Sequence, residues 1–353
     1  MALAKQLRIS IDDAGFFPAT IPPDGSYGST RSDAGIMCVH SLWWMSGDTD
    51  LLTRAWPSMN TYAEARMKAD PNGEGAPFGE LPADTLPEGD STPPKFIHLM
   101  SRAINIRLLQ DMAQTASQNP FEQKVLAHQN QILGKQFQLE HVTKDHKLKH
   151  TSVTACVYAL RSGLLNDVQK TVVGEQLLSA VKALQGSSPL DQGPYATAHL
   201  LPVLTWLGQV DLAVKIASEY PLETGKPMAH LAISEWLISM IGGIEANQAG
   251  FRTLRIQPHI PSQEVLQFAD VKYQTPNGPT HVHWKNEQDG LTVEFLVPPN
   301  TTAYVALPAP EGSKITEKDG LLKEGKFLFG QKVVGGNITF RALPGSYRLT
   351  ISN

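Results

Sequence analysis

Between Trp236 and Pro308 the spacing of apolar residues changes from a period of about 3.6 to a period of 2. An apolar helical stretch carrying Trp236, Leu237 and Ile241 stops at Gly242-Gly243, and beyond Ala249-Gly250-Phe251 the chain breaks into short alternating segments. A helical body joined at one seam to a strand-forming tail narrows the architectures open to the chain. The seam predicts two domains, a helical one over 1–247 and a β-sandwich over 248–353.

Upstream of the seam the segments read as amphipathic helices separated by short polar or Gly/Pro breaks. Ser32-Asp33 offers a helix start, with Ile36, Val39, Leu42 and Trp43 on one face until Ser46-Gly47-Asp48. Pro57 fits the first turn of the next helix, which carries Tyr62 and Met67. Further helices are predicted over 95–116, 121–137, 152–162, 167–184, 196–207, 212–218 and 228–241, with short connections that suggest antiparallel hairpins. The segment from about Asp70 to Pro94 is rich in Gly, Pro, Asp and Glu. A loop of that length in a compact domain is usually functional or disordered.

Downstream, Phe251-Arg-Thr-Leu-Arg-Ile, His281-Val-His-Trp, Leu291-Thr-Val-Glu-Phe-Leu-Val and Tyr347-Arg-Leu-Thr-Ile alternate apolar with polar residues. Pro-Asn-Gly, Asp-Gly and Pro-Gly punctuate them, so the tail reads as a small antiparallel sandwich. At 353 residues the chain can bury a sizeable core without disulfides or metals. The 30 basic residues are balanced by 34 acidic ones without a basic stripe, which gives no support to nucleic-acid or membrane partners. No apolar run of signal-peptide or membrane-spanning length occurs, so a cytoplasmic protein is expected. Cys38 and Cys156, both in apolar helical sequence, are expected to be buried thiols.

The run Ala249-Gly-Phe-Arg-Thr-Leu-Arg-Ile-Gln-Pro-His, then Val271-Lys-Tyr, Trp284-Lys and Val297-Pro-Pro-Asn-Thr-Thr-Ala-Tyr-Val-Ala-Leu-Pro, resembles the end of bacterial-type α-L-rhamnosidases. Gly193-Pro-Tyr-Ala-Thr-Ala-His with Gly208-Gln-Val-Asp, and Ser32-Asp-Ala through Ser46-Gly-Asp-Thr-Asp to Trp56-Pro-Ser-Met, are similar to helices of the same family in the same order. The resemblance implies an (α/α)6 helical-hairpin barrel, here incomplete, followed by a small antiparallel β-sandwich. It also implies inverting hydrolysis of terminal α-L-rhamnose, a carbohydrate ligand and no cofactor. That chemistry needs a carboxylic acid to protonate the leaving oxygen and a carboxylate to activate water, roughly 6.5 to 9.5 Å apart.

This chain departs from the family at both carboxylates. The acid's motif, which ends in Trp-x-Gly-Asp, has no counterpart before Ser32. Glu219-Tyr-Pro-Leu-Glu-Thr-Gly-Lys-Pro runs into the next helix without the Trp-Glu that holds the base. Asp33 matches an Asp that the family keeps beside a sugar-facing Trp, whose place is taken by Arg31. An Arg beside a carboxylate would favour its ionised form and suit the pair to sugar hydroxyls or to an acidic sugar. Phe78-Gly-Glu-Leu stands where the family has an aromatic-Gly-Asp-Trp rim motif, making Glu80 the best second acid. The candidate catalytic residues are therefore Asp33 and Glu80, with Arg31, Tyr195 and His199 as candidate substrate contacts. Against these stand plainer readings: a helix cap for Asp33, a solvated loop for Glu80 and a packing role for His199.

His146 and His150 have metal-like spacing, but Lys144, Lys147 and Lys149 crowd them and favour a solvated loop. His281 and His283 share a strand face and read as surface residues. The alternatives to a rhamnosidase-like hydrolase are a non-catalytic relative that binds a sugar or a partner protein, and a fragment of a longer rhamnosidase. The expected gap in the barrel would be left as a groove or filled by a partner, a second copy of the chain being one candidate.

Overall fold

The computed structural model describes residues 15, 17, 30–75, 81–116, 120–184, 188–221, 227–317, 320–321 and 328–352. They fall into two compact units, one drawn from residues up to 43 and 48–203, the other from 44–47 and 204 onward.

The first unit is helical. A 3-10 turn, Thr30–Asp33, leads into α1 (Ala34–Ser46), followed by α2 (Thr49–Ala69), α3 (Pro94–Ala116), α4 (Pro120–His141), α5 (Val153–Ser162), α6 (Asp167–Ala183) and α7 (Pro194–Trp206). The caps explain several starts. Asp48, Ser152 and Asn166 accept backbone N–H groups at the heads of α2, α5 and α6, and Asn166 with Gln169 completes a capping box. Arg66 and Lys68 in the last turn of α2 suit its negative end. Helix α3 packs on α2, α4 and α5, and α5 packs on α6. Being covered from several sides, α3 buries residues nearly all round, from Phe96 and Ile97 to Met112 and Ala113.

On α1 the buried residues are Gly35, Ile36, Val39 and Trp43. Helical steps of 100° carry Cys38 off that stripe, and the expected buried thiol is exposed there, whereas Cys156 is buried. Leu42 is likewise 45% exposed, at the edge of the face it was expected to share.

The second unit holds α8 (Val210–Glu219) and α9 (Pro227–Trp236), the latter continuing through one wide turn, Leu237–Ile241. Two sheets follow. One has the order β1-β2-β6-β10-β9 and the other β3-β4-β5-β11-β7-β8. Their strands are β1 (Ile244–Ala246), β2 (Thr253–Ile256), β3 (Phe268–Thr275), β4 (Gly278–Glu287), β5 (Gly290–Val297), β6 (Thr302–Pro308), β7 (Lys314–Glu317), β8 (Gly320–Leu321), β9 (Leu328–Val334), β10 (Asn337–Ala342) and β11 (Gly345–Ser352). Pairing is antiparallel except for β2 beside β6, which run parallel, so the expected all-antiparallel sheet has one exception. Strand β1 is the one reached from the helical seam, and β2 returns antiparallel beside it before lying against β6.

At the seam, Gly243 has φ +68, and a Cβ there would stand 2.1 Å from the Pro258 nitrogen. Only glycine fits both demands. The same place is fixed by Trp284 of β4, fully buried, whose indole N–H donates to the Ile241 carbonyl at 2.8 Å. Trp236 donates in the same way to the Thr205 hydroxyl at 2.9 Å. Each indole thus buries a large apolar surface while keeping its polar tip satisfied. Among the described residues no helix is long and apolar enough to cross a membrane.

Candidate functional site

Asp33 closes the 3-10 turn before α1 and is 3% exposed. Its side chain does not cap that helix but reaches into the helical unit. Two neighbouring helices each supply polar residues four apart, and so on one face: Tyr62 and Arg66 from α2, Ser101 and Asn105 from α3. The Tyr62 hydroxyl (2.7 Å), Arg66 Nη1 (2.9 Å) and Asn105 Nδ2 (2.5 Å) all donate to Asp33 Oδ1. Ser101 donates to Oδ2. Burial pushes the Asp33 carboxyl up, while the Arg66 guanidinium and the Tyr62 and Asn105 donors pull the other way. Burial and the Asp33 charge together hold the Tyr62 hydroxyl well above its ordinary value.

A second buried ion pair lies nearby. Arg102 Nη1 meets Asp70 Oδ2 at 3.1 Å and the Asp70 carbonyl at 2.6 Å, and its Nη2 donates to Gln129 at 2.7 Å. Asp70 also accepts the backbone N–H groups of Glu74 (2.9 Å) and Gly75 (3.0 Å), tying the end of α2 to the loop beyond it. Between the pairs sits His98, whose ring nitrogens have no hydrogen-bond partner and whose backbone oxygen accepts from Arg66 at 3.3 Å. Burial, helped by Arg66, depresses His98 to about 4.

The Asp33 charge is also felt at Tyr158 of α5, whose hydroxyl is raised first by burial, then by Tyr195 and Asp33. The Tyr158 and Tyr195 rings stack with centroids 4.1 Å apart and planes 14° from parallel. His199 stands edge-on to Tyr195 at 4.4 Å. Burial lifts Tyr195 to about 12 against a hydrogen bond from Arg161, and drops His199 to about 3 with the help of that same arginine. Tyr158, Tyr195 and His199 therefore form one run of touching rings, and Asp33 lies within electrostatic reach of this tract.

The loops ahead of α1, α3, α5 and α7 gather at one end of the unit. Arg31 pairs with Asp84 at 2.6 Å, the Thr92 and Ser152 hydroxyls meet at 2.8 Å, and Thr154 donates to the Gln192 carbonyl at 2.7 Å. Gly193, with φ +85, would place a Cβ 2.3 Å from the Thr85 carbonyl oxygen, so the close approach of two loops fixes glycine there.

Of the residues predicted from sequence, Tyr195 and His199 are in contact and Asp33 is electrostatically linked to their tract. Arg31 does not pair with Asp33: it is exposed on the rim with Asp84, while Arg66 takes the place beside the buried carboxylate. A 3-10 turn spaces successive side chains about 120° apart, so residues 31 and 33 diverge. Glu80 and Phe78 lie outside the described residues. His146 is exposed, as expected of a solvated loop. His150, however, packs edge-on to Phe96 at 5.4 Å. Among the described residues no three His, Cys, Asp or Glu side chains converge to hold a metal. His281 bonds Asp270 at 2.6 Å on the sheet surface.

Sequence reasoning missed Tyr62, Arg66, Ser101, Asn105, Tyr158 and Arg161. A signal was present, because Ser101 and Asn105, four apart between apolar residues that recur on several faces of α3, must be satisfied internally where that helix is buried.

A helical unit with a buried polar tract and loops gathered at one end, followed by a two-sheet sandwich, has the architecture seen in solved glycosidases. The structure superposes on the α-L-rhamnosidase of Streptomyces avermitilis complexed with L-rhamnose with a TM-score of 0.83 at 24% identity, over 99% of this chain and 36% of that one. It superposes on the α-L-rhamnosidase from Dictyoglumus thermophilum with a TM-score of 0.85 at 19% identity, over 99% and 43%. In sequence, the α-L-rhamnosidase of Streptomyces avermitilis is 25% identical over 98% of this chain and 35% of its own length. That of Formosa agariphila is 29% identical over 58% of this chain and 25% of its own. Residues 2–222 match the bacterial alpha-L-rhamnosidase 6 hairpin glycosidase domain, and residues 243–321 match the bacterial alpha-L-rhamnosidase C-terminal domain. The chain belongs to the bacterial α-L-rhamnosidase family, and it spans about a third of the length of the curated relatives it matches.

Proposed function

We propose that the chain is the helical and sandwich portion of an α-L-rhamnosidase-like glycoside hydrolase acting on a rhamnose-containing or related glycoside. The observation that carries this reading is that Asp33 and the tract of Tyr158, Tyr195 and His199 lie inside the segment matched to the family's glycosidase domain. A relative holds L-rhamnose in its solved complex, and we carry that class of ligand to this tract. In this reading Asp33 is a positioning residue. Both its oxygens are engaged by protein donors, so it locks α2 and α3 against the turn that opens α1 and leaves Glu80 as the candidate acid.

A second reading, sugar binding without turnover, is favoured by that same saturation of Asp33, since an acid or base must exchange a proton with its substrate. Hydrolysis of an aryl α-L-rhamnoside, measured beside calorimetric titration with L-rhamnose, separates the two. Turnover abolished by Glu80→Gln supports the hydrolase, and binding without turnover supports the second reading. An intact, folded chain showing neither would overturn both.

A further inference from the structure

The outer face of the sheet β1-β2-β6-β10-β9 carries a row of charged and aromatic side chains that the tract in the helical unit does not use. By strand register, Glu245 of β1 stands opposite Arg255 of β2, Arg255 beside Tyr304 of β6, and Tyr304 opposite Arg341 of β10. Burial alternates along β6, with Ala303, Val305 and Leu307 in the core and Tyr304 between them 36% exposed. The period of 2 therefore turns Tyr304 outward together with its register partners Arg255 and Arg341. Both arginines are exposed. A further cation, Lys332 of β9, lies opposite Thr339 of β10 and is exposed as well.

The row is ordered before any ligand arrives. The Arg341 guanidinium stands over the Tyr304 ring, 4.7 Å from its centroid. Stacking uses the flat face of the guanidinium and leaves its N–H edge available to an acceptor. On the other side of the ring, Arg255 Nη2 donates to Asn247 Oδ1 at 3.3 Å, which steadies that side chain. Among the described residues no carboxylate lies within ion-pair distance of Arg255, Arg341 or Lys332. Glu245, the acid of the row, is half-buried, and burial raises its carboxyl against the pull of Arg255. A cross-strand stack would account for Tyr304 with Arg341 alone, but not for a second arginine set on the far side of the same ring.

The planar fork of an arginine selects carboxylate, sulfate or phosphate oxygens. Arg255 and Arg341 flank a single strand, so their backbones lie two strand spacings, roughly 10 Å, apart. Double-stranded DNA offers one charge per about 1.7 Å, far denser than this pair of cations, and the chain's formal net charge of -4 opposes drawing it in. A polysaccharide with carboxylates at intervals matches sparse cations. Thr302 and Thr339, each two residues from a member of the row and so on its face, can meet the hydroxyls of such a polymer.

We propose that Arg255, Tyr304 and Arg341 form a binding face for an acidic, uronate-bearing polysaccharide, each guanidinium taking a carboxylate. The proposal rests on the carbohydrate reading above for the kind of polymer, while its ligand is not the L-rhamnose of that reading. The test is affinity electrophoresis of the full chain in gels containing polygalacturonate, beside gels containing neutral dextran. Polygalacturonate alone should retard the parent, and added salt should relieve the retardation. Arg255→Ala and Arg341→Ala should each weaken binding about tenfold or more. Tyr304→Ala, which removes the ring that orders Arg341, should weaken it too, whereas Tyr304→Phe should bind as the parent does. These side chains are exposed, so melting temperatures should stay near that of the parent. If an alanine variant melts early, Arg341→Lys decides: it keeps the charge without the fork and should still lose affinity. An unretarded parent, or equal retardation of the arginine variants, overturns the proposal. Equally tight binding to DNA or to phosphatidylserine vesicles overturns the polysaccharide assignment. Calorimetry with L-rhamnose, run on the same variants, should be unchanged, so failure of the helical unit's sugar reading and failure of this face show in different measurements.

Discussion

In the helical unit, α3 buries His98, Ser101, Arg102 and Asn105 among its apolar side chains. In the sandwich, the buried positions of β5 are Leu291, Val293, Phe295 and Val297, alternating strictly with less buried neighbours. The two units settle the cost of a dry interior in opposite ways. Among the described residues the sandwich strands fully bury no charged side chain, and burying each large apolar side chain yields roughly 1.5–3 kcal/mol. The helical unit admits charge and must satisfy it, with Arg66 answering Asp33 and Arg102 answering Asp70. Such pairs add little net stability when whole but are costly to break. What they provide is a fixed polar interior, which a site needs and a sandwich core does not.

That contrast breaks most visibly at Asp33. Asp33→Ala leaves Arg66 buried with its main counter-charge gone, and it strands the donors of Tyr62, Ser101 and Asn105. We expect a loss of about 3–5 kcal/mol, read as a fall in the urea midpoint of the helical transition. A loss below about 1 kcal/mol would mean that the network is looser than its geometry. In the sandwich the matching probe is Trp284→Phe. It deletes the bond to the Ile241 carbonyl and part of a fully buried ring but leaves no charge behind, for an expected loss of about 1–3 kcal/mol. The comparison fails if the sandwich substitution proves the more damaging.

Acid should tell the units apart as well. His98 and His141, depressed to about 4, and His199, depressed to about 3, all lie in the helical unit and are neutral when folded. The unfolded chain takes up their protons near the ordinary imidazole value of about 6.5, so their contribution is complete above that pH and is lost progressively toward about pH 4. The raised Asp33 carboxyl has the opposite sign, gaining its proton first in the folded state, but it is one group against three. Melting curves from neutral pH to about pH 4 should show the helical transition falling while that of the second unit lags, because there burial lowers His259 and raises Glu245 with opposite signs. His98→Gln should reduce this acid sensitivity by about 1–2 kcal/mol. An unchanged pH dependence would show that His98 is not held neutral by the fold.

The same contrast explains what could be read in the sequence. Strand positions in β5 and β11 alternate because each residue sees either the core or the outside, and the seam at Gly242-Gly243 is visible because a turn there tolerates nothing larger. Helix periodicity likewise located α3 and α5. What periodicity cannot rank is polarity inside a helix that is buried all round. Ser101 and Asn105 belong to the site through Asp33, 68 and 72 positions away from them. Arg31 stands beside Asp33 in the register against the family, where a sugar-facing Trp is expected, yet Arg66, distant in sequence, is the residue that arrives there.

Arg31 therefore gives the smallest effect and a sharp one. Its guanidinium meets Asp84 at 2.6 Å with both side chains more than half exposed, at 51% and 59%. Solvent and salt screen such a pair to roughly 0–1 kcal/mol. Arg31→Ala should move the melting temperature by about a degree or less, in contrast to the large loss at Asp33 two residues on. If Arg31 touches the sugar, as its register against the family implies, the variant should weaken L-rhamnose binding at unchanged stability, and Asp84→Ala, which removes only the carboxylate of the pair, should not. Equal binding in all three chains would confine Arg31 to the rim. A large stability loss would mean instead that the rim carries part of the load assigned here to the buried pairs.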